Sequence, residues 1–529
     1  MATYGDIESL PRGTMLFRRG DRTADFFLIL SGNVEIYDQG PGGEPDILAV
    51  LEKRGFTGEL NLLNDRGTPV YGRMGTDGRV ARFHRAAFRR MLVGEPVVAE
   101  TILQAFVSRR QSLVNRNGGA VVLIGSPHHA DSLRIDRFLT RNGYPVRVID
   151  TDTAPAAAQA ALRGLGEAHE DLTLPVVAYG PGRALANPSN RTLAISLGIA
   201  EHIEEGHVFD LVVVGAGPAG LAASMYAASE GLDTLVLETE APGGQAGTSS
   251  MIENYLGFPM GVSGQALAGR AQVQAEKFGV RIAVPRTAES LDCTHRPFTL
   301  ALDDGTRVRA RAVTIATGAS YRALDLKNCK RFEGIGIHYA ATALEAHLCE
   351  DDQVIVVGGG NSAGQAAMFL SRTARRVHVL VRGEGLSASM SDYLIGRLNA
   401  SDKITLHRRT EITELLGHHY LERVRLVNRA TGEEKTMETN NVFLMLGAVP
   451  NTEWLSGCVA LDENGFVLDG RRVPAAAGPD GFVPASYETS APGVFAVGDV
   501  RAGSIKRVAS AVGQGSASIS EVHRALARE

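Results

Sequence analysis

The sequence predicts a multidomain chain that combines α+β and α/β architecture: an N-terminal β-roll, a small α/β domain, and two larger α/β domains. Three observations carry this. Short strand-like segments split by a Gly turn fill the first 115 residues. A β-α-β-α-β order runs through residues 117–200. Two separate strand–Gly turn–helix segments, Asp210 to Ala223 and Val354 to Ala363, follow further on. A length of 529 residues exceeds what one hydrophobic core supports, so several domains are expected.

In the first block, Phe26 to Leu30 and Val34 to Tyr37 read as strands around the turn Ser31-Gly32-Asn33. Arg85 to Val107 then reads as helical from apolar residues recurring at three and four, so helices close the roll. In the second block, Ala120 to Ile124 is a buried strand, Asp131 to Thr140 a helix, Val146 to Ile149 a strand and Ala154 to Leu165 an Ala-rich helix. Leu174-Pro175-Val176-Val177 opens a further strand, giving a layered α/β unit. Ala200 to Gly206 is acidic and polar and reads as a linker.

The third block begins near His207 with Gly215-x-Gly217-x-x-Gly220 directly after a run of valines. Gly215 permits a tight turn, Gly217 lets backbone approach a pyrophosphate, and Gly220 lets helix and strand pack closely. Pro218 and Ala219 open the helix, whose N-terminus presents unsatisfied N–H groups and a positive dipole end. Glu238 ends the next strand, where an acid accepts ribose hydroxyls. The second fingerprint is Gly358-x-Gly360-x-x-Ala363, with Asn361 and Ser362 at its helix start. Its following strand ends at Arg382, a cation suited to a 2′-phosphate, which favours NADP over NAD. Two such Rossmann-like fingerprints imply two dinucleotides, and FAD with a nicotinamide cofactor is the standard pair for hydride transfer.

These motifs, taken with those around them, resemble bacterial thioredoxin reductase over nearly all of the third block. Gly243-Gly244-Gln245 and Glu253-Asn254-Tyr255 sit where that family wraps the flavin. Ala316-Thr317-Gly318-Ala319 matches its crossover between domains. Gly498-Asp499-Val500 matches the segment whose Asp contacts the ribitol chain, and Arg507-Val508-Ala509 follows at the pyrimidine edge. The resemblance implies a discontinuous FAD domain (207–320 and 444–529) around an NAD(P)H domain (321–443). It implies FAD contacts from Gly215, Gly217, Pro218, Ala219, Gly220, Glu238, Gly244, Gln245, Asn254, Thr317, Gly318, Asp499, Val508 and Ala509. NADP contacts would come from Gly358, Gly360, Asn361, Ser362, Ala363 and Arg382.

The departures from that family bear on function. Where it carries Tyr-Cys-Ala-Thr-Cys-Asp, this chain has Tyr339-Ala340-Ala341-Thr342-Ala343-Leu344. Both redox cysteines and the proton-donating acid are absent, and alanine offers no thiolate for disulfide exchange. His338 flanks the gap and is a candidate proton donor. The family's phosphate-binding His-Arg-Arg triplet is thinned to Arg382-Gly383, with Ser387 and Ser389 nearby, so NADH stays open beside NADPH.

The first block (1–115) resembles the cyclic-nucleotide-binding fold through Phe17 to Asp21, Phe26 to Glu35 and Gly55 to Leu63. That resemblance makes Glu59 a candidate for the ribose hydroxyl and Arg66 for the cyclic phosphate. Pro69 removes a backbone donor where phosphate would want one. The second block (117–200) resembles a thioredoxin or glutaredoxin fold, with Leu174-Pro175 in the place of its cis-proline. Ser126-Pro127-His128-His129 stands where a redox pair would be, and the block holds no cysteine.

The four cysteines, Cys293, Cys329, Cys349 and Cys458, match neither a metal site nor a disulfide scaffold, and no metal is expected. With 54 basic and 59 acidic residues the net charge is −5, which argues against nucleic acid as a partner. No apolar run is long enough for a bilayer and no secretory signal is evident, so a cytoplasmic location is expected. The leading expectation is an oxidoreductase that moves hydride from NAD(P)H to FAD and then directly to an unidentified acceptor. A weakly turning-over flavin and nucleotide sensor or scaffold is one alternative. A disulfide reductase using other cysteines, such as Cys349, is another. A homodimer is expected by analogy with the family.

Overall fold

The computed structural model describes residues 4–528, apart from 23, 40–43, 59–61, 64–66, 69, 116–120, 127–128, 145, 166–172, 180–182, 250–251, 253–254, 327, 334–335, 340, 342–348, 388, 419 and 480. The chain divides into two compact units. One comprises Met1–Thr248, Val262–Gly318 and Thr452–Glu529; the other comprises Ser249–Gly261 and Ala319–Asn451.

The first unit opens with two small antiparallel sheets. Asp6–Leu10, Gly78–Phe83 and Phe26–Ser31 form one, and Met15–Phe17, Tyr71–Met74, Val34–Gln39 and Pro45–Leu51 the other. The turn between Phe26–Ser31 and Val34–Gln39 rests on Gly32, whose φ of +76° is open to glycine at little steric cost. Phe26, Phe83, Phe88 and Phe106 are fully buried and close the roll against its helices. The helical stretch is two helices, Arg85–Gly94 and Pro96–Asn115. Pro96 has no N–H to continue the first helix but suits the first position of the second.

The second block forms a mixed sheet in the order Ala184–Ala186, Val176–Ala178, Val121–Gly125, Val146–Asp150. Its middle strands pair antiparallel, and Val121–Gly125 runs parallel to Val146–Asp150. Helices Ala130–Arg141, Pro155–Arg163 and Asn190–Ser196 cover it, and the Leu174–Pro175 bond is cis.

The flavin-type sheet carries Arg281–Ala283, Thr234–Leu237, Val208–Val214 and Arg307–Ile315 as parallel neighbours, with Val494–Ala496 parallel to the last. Phe298–Leu302 and Ala288–Asp292 extend it as an antiparallel meander. One continuous apolar cluster includes Leu123, Ile135 and Phe138 of the small α/β block together with Leu211, Val213 and Ala219 of this sheet and its helix.

Two expectations are corrected here. Residues 200–206 are not a free linker: Ala200, Glu201 and Ile203 are buried, and Ile203 belongs to the second core of the flavin-type sheet. Cys293 and Cys458, 165 residues apart, are joined as a disulfide with their Cα atoms 5.9 Å apart. Their spacing in sequence gave no sign of pairing, because the main segment of the second unit, Ala319–Asn451, is inserted between them.

The second unit is built on a five-stranded parallel sheet in the order Ile337–His338, Asn441–Leu444, Gln353–Val357, Arg376–Val381, Ile404–Arg408. A three-stranded antiparallel sheet, Thr410–Leu416, Arg423–Asn428 and Glu434–Glu438, follows it. Among the described residues no helix is long and apolar enough to cross a membrane.

Candidate functional site

The first Gly turn is shaped by backbone that admits no side chain. Gly215 has φ +105°, and a Cβ there would lie 2.4 Å from the Ala316 carbonyl oxygen and 3.1 Å from Thr317 Cα. A Cβ on Gly220 would lie 1.9 Å from the Gly215 oxygen. Gly217 caps the helix Pro218–Ser229 with no side-chain hydrogen bond, and Pro218 takes its first turn. The early N–H groups of this helix are therefore free of a side-chain cap and open to a ligand. The helices starting at Ala130, Asn190 and Gly264 differ, since His129, Ser189 and Ser263 accept from their first-turn amides.

Residues distant in sequence converge on this turn. Gly243 donates its N–H to the Ala216 oxygen at 2.8 Å. Gly244, at φ +54°, passes so close that a Cβ on it would sit 3.0 Å from Gly217 Cα. Gln245 follows in the same loop. Gly498, at φ +76°, would bring a Cβ to 2.8 Å from the Ala219 side chain. Its N–H donates to Gln514 Oε1 at 2.8 Å. A Cβ on Gly515 would meet the Ala219 oxygen at 2.3 Å, so the helix Val508–Leu526 lies close on Pro218–Ser229. That helix begins with Val508 and Ala509, and its cap residue Arg507 supplies no side-chain hydrogen bond. Gly318, at φ +67°, follows Thr317 beyond the strand Arg307–Ile315.

Two acids border the turn. Glu238 accepts from the Ala216 N–H at 2.7 Å and, through its other oxygen, from the Glu240 N–H at 3.0 Å. Burial pushes its carboxyl up, opposed by these amides and by the Arg141 charge. Each carboxylate oxygen keeps a further lone pair for a hydroxyl. Asp499 sits half-buried in the turn Gly498–Val500; burial raises its pKa and the Lys506 charge opposes this. Lys506 Nζ donates to the Asp499 backbone oxygen at 2.7 Å. The chemistry of this donor set fits a dinucleotide: open helix amides for a pyrophosphate, and acids for ribose and ribitol hydroxyls.

In the second unit the same logic recurs. A Cβ on Gly358, at φ +143°, would lie 2.5 Å from the Met445 oxygen. Gly360 caps Asn361–Leu370 without a side-chain bond, and Ala363 is buried beneath the turn. Asn361 Oδ1 accepts from the Ser391 N–H at 2.9 Å, and Ser389 Oγ donates to the Gly359 oxygen at 2.9 Å. Ser362, Arg382 and Ser387 are exposed. His338 Nε2 lies 2.8 Å from Asn441 Oδ1, and its ring stacks on Phe443 with centroids 4.9 Å apart. His338 ends its short strand and lies opposite Phe443 in the parallel sheet.

Glu59, Arg66 and Asn254 lie outside the described residues, as do Ala340 and Ala343. Beside the first two, the Gly67 N–H donates to the Gly198 oxygen at 3.1 Å and the Thr68 N–H to the Asp21 oxygen at 3.0 Å. Among the described residues no three His, Cys, Asp or Glu cluster as a metal site. Sequence reasoning missed Gln514 and Gly515, although a glycine at 515 in an otherwise good helix signals close packing. It also missed Arg141, for which no local pattern gives a signal.

Comparison with known proteins agrees with this geometry. The profile of the pyridine nucleotide-disulphide oxidoreductase family matches residues 209–515, and that of the cyclic nucleotide-binding domain matches residues 7–94. The chain is 34% identical to the thioredoxin reductase of Mycolicibacterium smegmatis over 323 residues, which cover 61% of this chain and 98% of that protein. It is 35% identical over 315 residues to NADPH-dependent thioredoxin reductase 3 of Arabidopsis thaliana, covering 58% of this chain. It spans only 56% of the plant protein's length. The crystal structure of thioredoxin reductase from Streptococcus pyogenes MGAS5005 superposes with a TM-score of 0.54 at 29% identity, covering 61% of this chain and 99% of that one.

Proposed function

The chain belongs to the pyridine nucleotide-disulphide oxidoreductase family, and from that premise we propose that it delivers electrons from NADPH to an acceptor without a thiol pair beside the flavin. It is a thioredoxin reductase-like, FAD-dependent NAD(P)H oxidoreductase. When bound, FAD supplies the chemistry: it takes hydride from the nicotinamide and releases the electrons to the acceptor.

The observation that carries the flavin half is the convergence of Gly215, Gly217, Gly244 and Gly498 at one uncapped helix start. There the first-turn amides hold the pyrophosphate, Glu238 orients the ribose, Asp499 the ribitol, and the Val508 and Ala509 amides the ring edge. The uncapped turn at Gly358 and Gly360 holds the second dinucleotide, and Arg382 binds its 2′-phosphate. The direct route to the acceptor is supported by alanine at 340 and 343 and by the state of the two free cysteines. Cys329 and Cys349 are buried, and burial pushes the Cys329 thiol up, away from the thiolate that exchange requires. A homodimer belongs to the same proposal, and light scattering of the purified chain tests it.

The test is anaerobic mixing with NADPH, followed by a panel of acceptors: oxygen, quinones, an iron–sulfur protein and thioredoxin. Bleaching of the flavin band and turnover with an acceptor other than thioredoxin are expected. Turnover confined to thioredoxin and abolished in C349A would overturn the direct route.

A further inference from the structure

We propose that Arg141, from the cysteine-free second block, is a positioning residue for the flavin site, and that this block serves as a fixed wall of the cofactor loop. The proposal rests on the reading of the first Gly turn as the FAD cradle.

The helix Ala130–Arg141 ends against residues 240–244. Arg141 Nη1 lies 3.0 Å from Glu240 Oε2. Its Nη2 donates to the Gly244 oxygen at 3.0 Å and to the Ala241 oxygen at 3.5 Å. Asn142 Nδ2 donates to the Glu240 oxygen at 2.9 Å, and Gln265 Nε2 returns to the Thr140 oxygen at 3.1 Å. The Arg141 side chain is 15% exposed, so its charge is largely withdrawn from water while Glu240 remains in it.

The loop so held has reason to need holding. Gly243 and Gly244 are consecutive residues at φ +109° and +54°. Such a segment loses more conformational freedom on ordering than any other residue pair of similar length. On its inner side it touches Gly217, the residue that must let a pyrophosphate approach. The forked guanidinium fixes its outer side by spanning two carbonyls and a carboxylate, a geometry a lysine ammonium does not reproduce. Arg141 also opposes the rise that burial imposes on the Glu238 carboxyl. A block with no cysteine thus acts on the redox site through shape and charge.

The test is equilibrium binding of FAD to full-length apoprotein, read by flavin fluorescence, beside a thermal melt of the same apoprotein. R141A is expected to raise the FAD dissociation constant at least about tenfold, while the apoprotein melt stays near wild type. R141K is expected to recover part of the loss, and E240A, which leaves both carbonyl contacts, to lose less. Should R141A not fold, R141K against wild type carries the same comparison. Wild-type affinity in both Arg141 variants overturns the proposal. A wild-type apoprotein that takes up no FAD overturns the reading of the cradle instead.

Discussion

Arg191 places a guanidinium nitrogen 2.6 Å from the carboxylate of Asp304, tying the helix Asn190–Ser196 to the meander of the flavin-type sheet. Arg286 adds a second contact at 3.1 Å. Burial works against the charged acid, yet hydrogen bonds from Thr306 and Arg191 and the Arg286 charge hold it down at about 2. The folded value lies below the ordinary 3.8, so this stabilisation is complete above that pH and is lost as pH falls through about 2. D304N is expected to cost about 2 kcal/mol near neutrality, as for loss of charged hydrogen bonds. Denaturant melts at a series of pH values check this, with the gap from wild type narrowing below pH 4.

Gly515 is where two helices meet without room for a methyl group. G515A would drive a Cβ to within 2.3 Å of the Ala219 oxygen, in the first turn proposed to hold the pyrophosphate. Overpacking of this kind costs about 1–3 kcal/mol. The variant is expected to release flavin at a lower temperature than wild type, with flavin fluorescence rising before the loss of helical circular dichroism.

Exposure of Arg382 at the end of Arg376–Val381 leaves its charge open to a 2′-phosphate. R382S is expected to lower kcat/KM for NADPH about tenfold, the value of one good ionic hydrogen bond, and to leave NADH unchanged. Steady-state kinetics with both cofactors measures it. Equal loss with NADH would place Arg382 in the fold rather than in discrimination.

His378 and His407 face each other on adjacent strands, Nδ1 to Nε2, at 3.0 Å. Burial, with the charges of His407, Arg376 and Lys435, pushes His378 down to about 4. Burial and Lys435 lower His407 as well. A histidine with a depressed folded value stays neutral while the unfolded chain takes up its proton. Stability of the second unit is therefore full above about pH 6.5 and declines as pH falls toward 4. Thermal melts between pH 7.5 and 4.5 are expected to show a shallower decline in H378Q than in wild type.

Both Gly turns were legible in the sequence because backbone geometry leaves little choice at Gly215, Gly220 and Gly358. The roll strands Phe26–Ser31 and Val34–Gln39 were legible as short strand-like segments split by a Gly turn. The strand Pro45–Leu51 was not, since most of its side chains are exposed and show no buried face. Polar composition disguised residues 200–206, where one buried isoleucine outweighs its acidic neighbours. Arg141 and the Cys293–Cys458 pair depend on contacts 99 and 165 residues away, which no local pattern encodes.

The apolar cluster shared by Phe138, Leu193, Leu211 and Ala219 has no seam where the sequence changes from one block to the next. A shortened polypeptide starting near residue 207 would leave one wall of that cluster facing water. Such a fragment would tend to aggregate, so swapping in a reductase half taken from elsewhere would need its surface redesigned first. The second block is thus part of the core of its neighbour rather than an appendage to it.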